Sequence, residues 1–336
     1  MRGCTAHTSH QRAATQPKVV ELFSGAGLFG YAFREEGFDL SGAYEQDEIA
    51  ASTYARNLNA HIKVCDLARF QPKGHADVLI AGPPCQGFSS LGHRDPDDPR
   101  NNLGLVIPIW ATAVNARVVV VENVAGYINS SPWVRIRAQF ERAGYETFSW
   151  ILSASNLGAA QRRVRSFTVF SKIGRPSVET GCPQKAKTVR HAFRGLPRFP
   201  NHKAQHFTLP RTDFALRRIR LVPAGGDVRD IARAAPELVA PSWFLTGGKI
   251  IDIWGRMRWD TVGPTIRTGF LNPSRGRFLH PREDRPISFR EAARLQSIPD
   301  DFHFCGHAEA IARQIGNAVP LELGRAVARG IRQLIM

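Results

Sequence analysis

The first 170 residues alternate short apolar runs with longer amphipathic stretches, a pattern typical of strands and helices that alternate around a parallel sheet. Seven strands are predicted, at Lys18–Phe23, Leu40–Tyr44, Ile62–Val64, Asp77–Ala81, Arg117–Val121, Thr147–Leu152 and Val164–Phe170. Four helices are predicted near Leu28–Glu36, Glu48–Asn57, Leu103–Asn115 and Trp133–Ala143. We therefore expect an α/β domain with a Rossmann-like, mostly parallel sheet.

The alternation stops near residue 181. Between 181 and 285, prolines, glycines and arginines are interspersed with aromatic residues, as in Trp254–Trp259. This composition predicts a smaller, irregular or β-rich domain with short strands. Helical periodicity returns at Ser288–Leu295 and again at Ala310–Ile335.

The composition narrows the class of protein. Hydrophobic residues make up 43% of the chain, and no apolar run reaches the roughly 18 residues of a membrane helix. Residues 1–16 are polar, lack the apolar stretch of a secretory signal, and are expected to form a disordered leader. The five cysteines, at 4, 65, 85, 182 and 305, contain no Cys-x-x-Cys pair. This argues against zinc and a disulfide framework and favours a reducing cytoplasm.

The net charge of +16 is concentrated in one part of the chain. Residues 151–290 carry 26 Lys and Arg against 9 Asp and Glu, whereas the remainder has 19 against 20. A basic region confined to one part of a chain favours a polyanion partner, most simply nucleic acid. The alternative is a basic but merely solvated surface, which would be expected to spread over both halves.

Three groups of reactive side chains lie at the ends of predicted strands. Cys85 comes after a strand on the stiff turn Pro83-Pro84, where it is placed to act as a nucleophile. Glu122 ends another strand, and Arg163 and Arg165 share one face if their segment is extended. We expect all four to meet at the carboxyl edge of the sheet, where open α/β folds bind ligands. The alternatives are a buried apolar cysteine, a helix-capping glutamate and solvated arginines.

A glycine motif predicts a nucleotide-like cofactor. Gly25, Gly27 and Gly30 fit G-x-G-x-x-G between a strand and a helix, and Glu45 follows 20 residues after Gly25. This spacing suits a dinucleotide in an oxidoreductase, and the same chemistry suits S-adenosylmethionine. Phe23 offers a stacking face and Asp66 ends the third strand, which favours S-adenosylmethionine over NAD. Hydride transfer also leaves the Pro-Pro-Cys turn and the basic half unexplained.

Several segments, in order along nearly the whole chain, resemble the motifs of the DNA (cytosine-5) methyltransferases. They are Leu22–Gly27, Glu45, Asp66, Gly82–Ser89, Glu122–Val124, Gln161–Arg165, Arg290–Gln296 and Gln314–Pro320. The resemblance implies a methyltransferase that modifies C5 of a flipped-out cytosine in duplex DNA through a covalent Cys85–C6 intermediate. It implies that Glu122 acts near N3 and that Arg163 and Arg165 hold O2 and the sulfur region.

The resemblance also implies a cofactor site. We predict that it comprises Phe23, Ser24, Gly25, Gly27, Glu45, Gln46, Asp66, Leu67 and Asn317, with Glu45 on the ribose and Asp66 on the adenine. The sequence departs from the family at Leu28, where many members have glycine. It departs again at Gln46, where an aromatic or aliphatic residue often flanks the adenine.

The same resemblance suggests how DNA is bound. Thr265-Ile266 matches a Thr-Ile or Thr-Leu pair of the family's target-recognition region. The predicted DNA contacts are Gln86, Ser89, Arg256, Arg258, Thr265 and Arg267, with the loop Gln86–Asn101 expected to be mobile and to close over the base. The predicted organisation is a leader at 1–16, a catalytic and cofactor-binding domain at 17–180, a target-recognition domain at 181–304 and a returning C-terminal helix at 305–336.

Two other readings remain open at this stage. Transfer RNA is the alternative substrate, although the Cys-Phe-Thr segment of that branch is not found in the sequence. A non-catalytic DNA-binding relative would be expected to lack Cys85, Glu122 or Arg163, and all three are present. We expect a monomeric, cytoplasmic, prokaryotic modification enzyme with no membrane partner. A cognate restriction endonuclease that acts separately is a candidate partner.

Overall fold

A seven-stranded sheet forms the centre of the molecule. The structure, a computed structural model, describes residues 16–58, 60–70, 72–84, 99–243 and 252–336. The strands are β1 (Lys18–Leu22), β2 (Asp39–Glu45), β3 (Ile62–Val64), β4 (Val78–Ala81), β5 (Val118–Asn123), β6 (Glu146–Ser153) and β7 (Val164–Ser171). Their order is β3-β2-β1-β4-β5-β7-β6. All seven predicted strands are confirmed, with ends that shift by at most two residues.

Strands β1 to β5 pair in parallel, and β7 runs antiparallel to both of its neighbours. The central strands β4 and β5 are buried along their whole length. Strands that are covered on both faces appear in sequence as continuous apolar runs, which explains why Val118–Val121 was readily recognised as a strand. The predicted α/β class with a mostly parallel sheet is confirmed.

The strand order reverses between β1 and β4. From β1 the chain proceeds outward to β2 and β3, and then returns to place β4 on the other side of β1. In open α/β sheets, a crevice opens at the carboxyl ends of the strands at such a reversal. The turns after β1, β2, β4 and β5 all open toward this crevice.

The helices surround the sheet and build the remainder of the chain. They are α1 (Leu28–Glu35), α2 (Glu48–Leu58), α3 (Ile107–Ala113), α4 (Ser131–Arg142), α5 (Val189–Phe193), α6 (Asp213–Arg220), α7 (Val228–Ala234), α8 (Phe289–Leu295), α9 (Ala308–Asn317) and α10 (Leu321–Ile335). The helix predicted at Leu103–Asn115 divides into a 3-10 segment, Pro99–Val106, and α3, whose first turn contains Pro108. None of the helices in the described ranges is both long and apolar enough to cross a membrane.

The region after β7 corrects one prediction. In the described part of 181–304 there are isolated β-bridges but no strand, and α5 to α7 replace the short strands that were expected, while α8 confirms the helix predicted at Ser288–Leu295. Frequent prolines and glycines interrupt any ladder, so the chain folds as short helices and loops. Part of this region has its own core, which includes Ile219, Ile231 and Leu279. A second core joins it to the first half through Leu28 and Ala160.

The C-terminal segment consists of two helices where the sequence predicted one at Ala310–Ile335. Pro320 separates α9 from α10 because proline cannot donate the hydrogen bond that a continuing helix needs. Helix α10 packs on α1, and Arg332 donates to the carbonyl oxygens of Glu36 and Gly37 at 2.7 Å each. The end of the chain therefore returns to the first helix of the sheet domain.

We predict that Gly324→Ala destabilises the protein. Alanine normally stabilises a helix interior relative to glycine, but a Cβ at Gly324 would lie 2.6 Å from the Ala32 Cβ on α1. Overpacking of this kind costs about 1–3 kcal/mol of unfolding free energy. Urea denaturation measures the change, with the exposed Gln333→Ala on the same helix as control. If Gly324→Ala had a higher unfolding free energy than the wild type, the close packing of α10 on α1 at this position would be contradicted.

Candidate active site at the carboxyl edge of the sheet

The turn after β1 and the end of β2 form one wall of the crevice. Phe23, Gly25 and Gly27 all have positive φ, at 54°, 53° and 89°. The Gly25 N–H donates to Glu45 Oε2 at 2.7 Å, and Glu45 Oε1 accepts from the backbone N–H groups of Gln46 and Asp47 at 2.9 Å each. The carboxylate is thereby fixed at the mouth of β1 and β2, as the spacing of 20 residues predicted.

The space next to this turn suits a ligand with polar groups. A Cβ added at Gly25 would meet no atom within 4 Å, so the backbone faces open space on that side. The Ser24 hydroxyl is buried and has no hydrogen-bond partner within the described structure. Buried hydroxyls are rarely left without a partner, so the unpaired Ser24 hydroxyl next to Gly25 marks a candidate ligand-binding position.

The other predicted cofactor residues lie along the neighbouring strand ends. Asp66 follows β3, accepts the Ala68 N–H at 3.0 Å and pairs with the Arg69 Nε at 3.4 Å. Leu67 is 7% exposed and packs in the core under the crevice. Gln46 and Asn317 are exposed, and Asn317 is the last residue of α9. Their roles stay predictions.

The turn after β4 is tied to two strands. The Gly82 N–H donates to the Leu22 carbonyl at 3.4 Å, and Asn123 Nδ2 donates to the Pro83 carbonyl at 3.1 Å. The chain that leads into Cys85 is thus held between the ends of β1 and β5. Cys85, Gln86 and Ser89 themselves lie outside the described residues.

Glu122 is the second-last residue of β5 and lies beside this turn. It is 9% exposed and pairs with Arg165, whose Nε lies 3.1 Å from its Oε1. Burial raises the pKa of Glu122, while the charges of Arg165 and Arg163 partly counteract that rise. A Cβ on Gly82 would lie 3.8 Å from Glu122 Oε2, so the carboxyl group borders the Pro-Pro turn. A carboxyl group in this position is placed to donate or accept a proton.

Arg163 and Arg165 flank Glu122 but have different surroundings. Arg165 Nη1 donates to the Val164 carbonyl at 2.7 Å. Arg163 is 3% exposed and donates to the carbonyl oxygens of Ile266 at 2.9 Å and Gly316 at 3.0 Å. Arg163 therefore joins the segment that leads into β7 to the Thr265-Ile266 segment and to α9.

Two buried glutamines extend this connection. Gln161 accepts the Ile266 N–H at 3.1 Å and donates to Gln296 at 3.0 Å, and Gln296 donates to the Ile315 carbonyl. Both glutamines are fully buried. They lay within motifs recognised in the sequence, but no role was predicted for them. The feature of the sequence that could have indicated this role is a polar residue within a segment that otherwise enters the core.

The predicted DNA contacts separate into two groups. Arg256 is 4% exposed, and its guanidinium donates to the carbonyls of Val222, Ile219, His280 and Glu283 and to the Asp284 carboxylate. The prediction that Arg256 contacts DNA is therefore wrong, because the buried side chain joins two other chain segments, 219–222 and 280–284. Arg258 and Arg267 are exposed. The Thr265 hydroxyl donates to the Arg162 carbonyl.

A basic cleft lies between this region and the sheet domain. It has a volume of about 380 Å³, and Arg162, Arg258 and Arg277 line it together with the apolar Val189 and Pro264. Arg277 is bound to Asp227 and Asp252, whereas Arg162 and Arg258 are exposed. The cleft therefore offers two exposed guanidinium groups, one from each region.

Comparisons with known proteins agree with this geometry. A family model described as C-5 cytosine-specific DNA methylase matches residues 17–333. The type II methyltransferase M1.HphI of Haemophilus parahaemolyticus is 31% identical, covering 94% of this chain and 86% of that protein. M.AplI of Arthrospira platensis, also a type II methyltransferase, is 30% identical, covering 96% and 87%. The structure of the Entamoeba histolytica methyltransferase EhMeth shares the fold, with a TM-score of 0.67 at 15% identity, over 96% of this chain and 98% of that one.

We predict that Arg165→Gln raises the pKa of Glu122 further. Arg165 is the strongest influence that lowers this pKa, and burial, which raises it, stays in place. Selective ¹³C labelling of glutamate and an NMR titration measure the change. Arg137→Gln, which removes an exposed partner of Glu141, is the control and should leave the pKa of Glu122 unaltered. An unchanged pKa in Arg165→Gln would contradict the pairing.

Proposed function

Because this chain belongs to the C-5 cytosine-specific DNA methylase family, we propose that it methylates C5 of a cytosine flipped out of a specific duplex DNA sequence. The observation that carries this proposal is the buried Glu122–Arg165 pair next to the Pro-Pro turn. The turn that precedes Cys85 and the glycine turn at β1 open onto the same crevice, so a base and a methyl donor would meet there.

The glycine-turn wall fits S-adenosylmethionine. Glu45 presents a fixed carboxylate to ribose hydroxyls, Asp66 an acceptor to the adenine amino group, and Ser24 an unpaired hydroxyl next to the open side of Gly25. Phe23 borders the turn with its ring, and Gln46, Leu67 and Asn317 complete the proposed site. When bound, S-adenosylmethionine supplies an electrophilic methyl group on a sulfonium sulfur.

The chain's own residues make cytosine reactive toward that group. C5 of cytosine is a poor nucleophile, so the Cys85 thiolate adds to C6 and makes C5 enamine-like. Glu122 supplies or shares a proton at N3, which neutralises charge that develops on the ring. Arg163 and Arg165 favour the thiolate and hold O2. The ring then takes up the methyl group at C5, loses the C5 proton and expels the thiolate.

This chemistry requires the base to leave the helix. Rotation of a base out of duplex DNA costs a few kcal/mol, which contacts to the DNA must offset. The basic cleft and the net charge of residues 151–290 support an attraction to the backbone. Gln86, Ser89, Arg258, Thr265 and Arg267 remain the proposed DNA contacts.

The named relatives support a biological setting. M1.HphI and M.AplI carry the name type II methyltransferase, which describes modification enzymes of restriction–modification systems. We propose that this chain protects host DNA in a prokaryote in the same way, with the matching endonuclease on a separate chain.

Methyl transfer tests the function directly. We expect tritium from labelled S-adenosylmethionine to enter duplex DNA, and Cys85→Ser to abolish transfer while DNA binding is largely retained. Cys182→Ser, which changes a half-buried cysteine outside the proposed site, is the matched control. Substantial transfer by Cys85→Ser would refute the nucleophile. Labelling of transfer RNA in place of DNA would favour the alternative substrate, and bisulfite sequencing of host DNA would identify the recognition sequence.

A pair of neighbouring arginines tests the DNA surface. We expect Arg258→Gln to weaken DNA binding and to reduce the slope of log affinity against log salt by about one, with unchanged folding stability. Arg256→Gln should instead destabilise the fold, because each buried carbonyl left without a donor costs about 1–3 kcal/mol. Fluorescence anisotropy at several salt concentrations and urea denaturation measure the two effects. An equal salt slope in Arg258→Gln and the wild type would remove Arg258 from the interface.

A further inference from the structure

An acidic side chain lies inside the sheet beneath the glycine turn. Glu21 is in β1, between Ala43 of β2 and Ile80 of β4, and is 2% exposed. A carboxyl group in such a position is costly unless it is hydrogen-bonded or neutral. Glu21 has no basic partner within the described structure, in contrast to Glu122. Its role therefore depends on the polar groups that it contacts.

The first contact is with the start of α1. The N–H groups in the first turn of a helix have no acceptor within the helix. Here Gly27 is the residue before α1, and it provides no side-chain cap. Glu21 Oε1 supplies the missing acceptor, because the Gly30 N–H donates to it at 3.1 Å. Glu21 thus caps α1 from within the sheet.

The second contact is with Tyr54 of α2. Glu21 Oε2 and the Tyr54 hydroxyl oxygen both border Gly30, and neither atom has another hydrogen-bond partner within the described structure. A Cβ at Gly30 would lie 2.2 Å from Glu21 Oε2 and 3.2 Å from the Tyr54 hydroxyl oxygen. A Cβ at Gly27 would lie 2.6 Å from Tyr54 Cδ2 and 2.4 Å from Leu58 Cδ1. A larger residue at Gly27 or Gly30 would therefore clash with the side chains beneath the turn, so both positions of the glycine motif require glycine.

Burial favours the protonated, neutral form of this carboxyl group. Burial raises the pKa of Glu21 to about 8, and the nearby charge of Glu45 adds to the rise, while the Gly30 N–H and Tyr54 oppose it. Burial also raises the pKa of Tyr54 well above its usual value, although the Arg34 charge on α1 opposes this. A protonated Glu21 accepts from Gly30 through one oxygen and presents the other to Tyr54.

We propose that Glu21 and Tyr54 are positioning residues that hold the glycine turn in the conformation that binds S-adenosylmethionine. Glu45 fixes Gly25 from the rim of the crevice, and the Glu21–Tyr54 pair fixes Gly27 and Gly30 from below. This inference rests on the proposed function, since that function supplies the ligand. In this proposal Glu21 maintains the shape of the site and does not contact the ligand.

Calorimetric titration with S-adenosylmethionine tests the pair. We expect Glu21→Gln, which keeps both hydrogen-bonding positions, to bind within about twofold of the wild type at pH 7. Glu21→Ala is expected to weaken binding at least tenfold, and Tyr54→Phe severalfold. Glu35→Ala, which removes an exposed acid of α1, is the control and should bind like the wild type. Hydrogen exchange of ligand-free protein should show faster exchange at residues 25–31 in Glu21→Ala.

The pH dependence of stability provides a second readout, which does not need the ligand. Below about pH 4.5, Glu21 is protonated whether the chain is folded or unfolded. Between pH 4.5 and 8 only the unfolded chain loses the proton, so the wild type loses stability that Glu21→Gln keeps. We expect the melting temperature of Glu21→Gln to exceed that of the wild type by a margin that grows from pH 5 to pH 8.

The outcomes separate the two proposals. If the wild type binds S-adenosylmethionine and Glu21→Ala and Tyr54→Phe bind it equally well, the positioning role is overturned and the function stands. If the wild type does not bind S-adenosylmethionine, the proposed function is overturned, and the inference with it. A margin between Glu21→Gln and the wild type that stays constant with pH would show that Glu21 does not retain a proton.

Discussion

The guanidinium of Arg163 is the point at which the parts of this molecule join. One buried side chain donates to Ile266, in the segment proposed to read DNA, and to Gly316, next to the proposed cofactor residue Asn317. The same side chain lies close enough to Glu122 to lower its pKa. Because a planar guanidinium holds its donors in fixed directions, the three regions can shift relative to one another only if buried hydrogen bonds break.

The two buried glutamates, Glu122 and Glu21, show how the neighbouring groups determine the role of a carboxyl group. Glu122 has an arginine at 3.1 Å and borders the crevice, so its proton can move during a reaction. Glu21 has only a backbone N–H and a phenol, and is enclosed in the sheet. Desolvation raises the pKa of both carboxyl groups, but only the one at the edge is placed to meet a substrate.

Sequence patterns predicted the sheet because buried parallel strands leave continuous apolar runs such as Val118–Val121. They also placed Glu45 at the end of the second strand, since the spacing from the glycine turn follows from the βαβ unit; its contact with the Gly25 N–H emerged only from the structure. The sequence patterns failed in the basic half, because a sequence with many arginines does not show which of them are buried and which are exposed. Arg256 lies in the interior, whereas Arg258, two positions on, is exposed. Glu21 was overlooked because one acid within an apolar strand does not alter the pattern.

The contacts of Thr265-Ile266 bear on how new specificities can arise on this scaffold. Gln161 accepts a hydrogen bond from the Ile266 N–H, and Arg163 donates one to the Ile266 carbonyl. The Thr265 hydroxyl donates to the Arg162 carbonyl. Exchanging the segment proposed to read DNA with that of a relative would break these hydrogen bonds if the junction fell between Thr265 and Ile266. Natural recombination and laboratory chimeras would therefore be tolerated best where the junctions keep Thr265-Ile266 and the residues that bind it from the same parent protein.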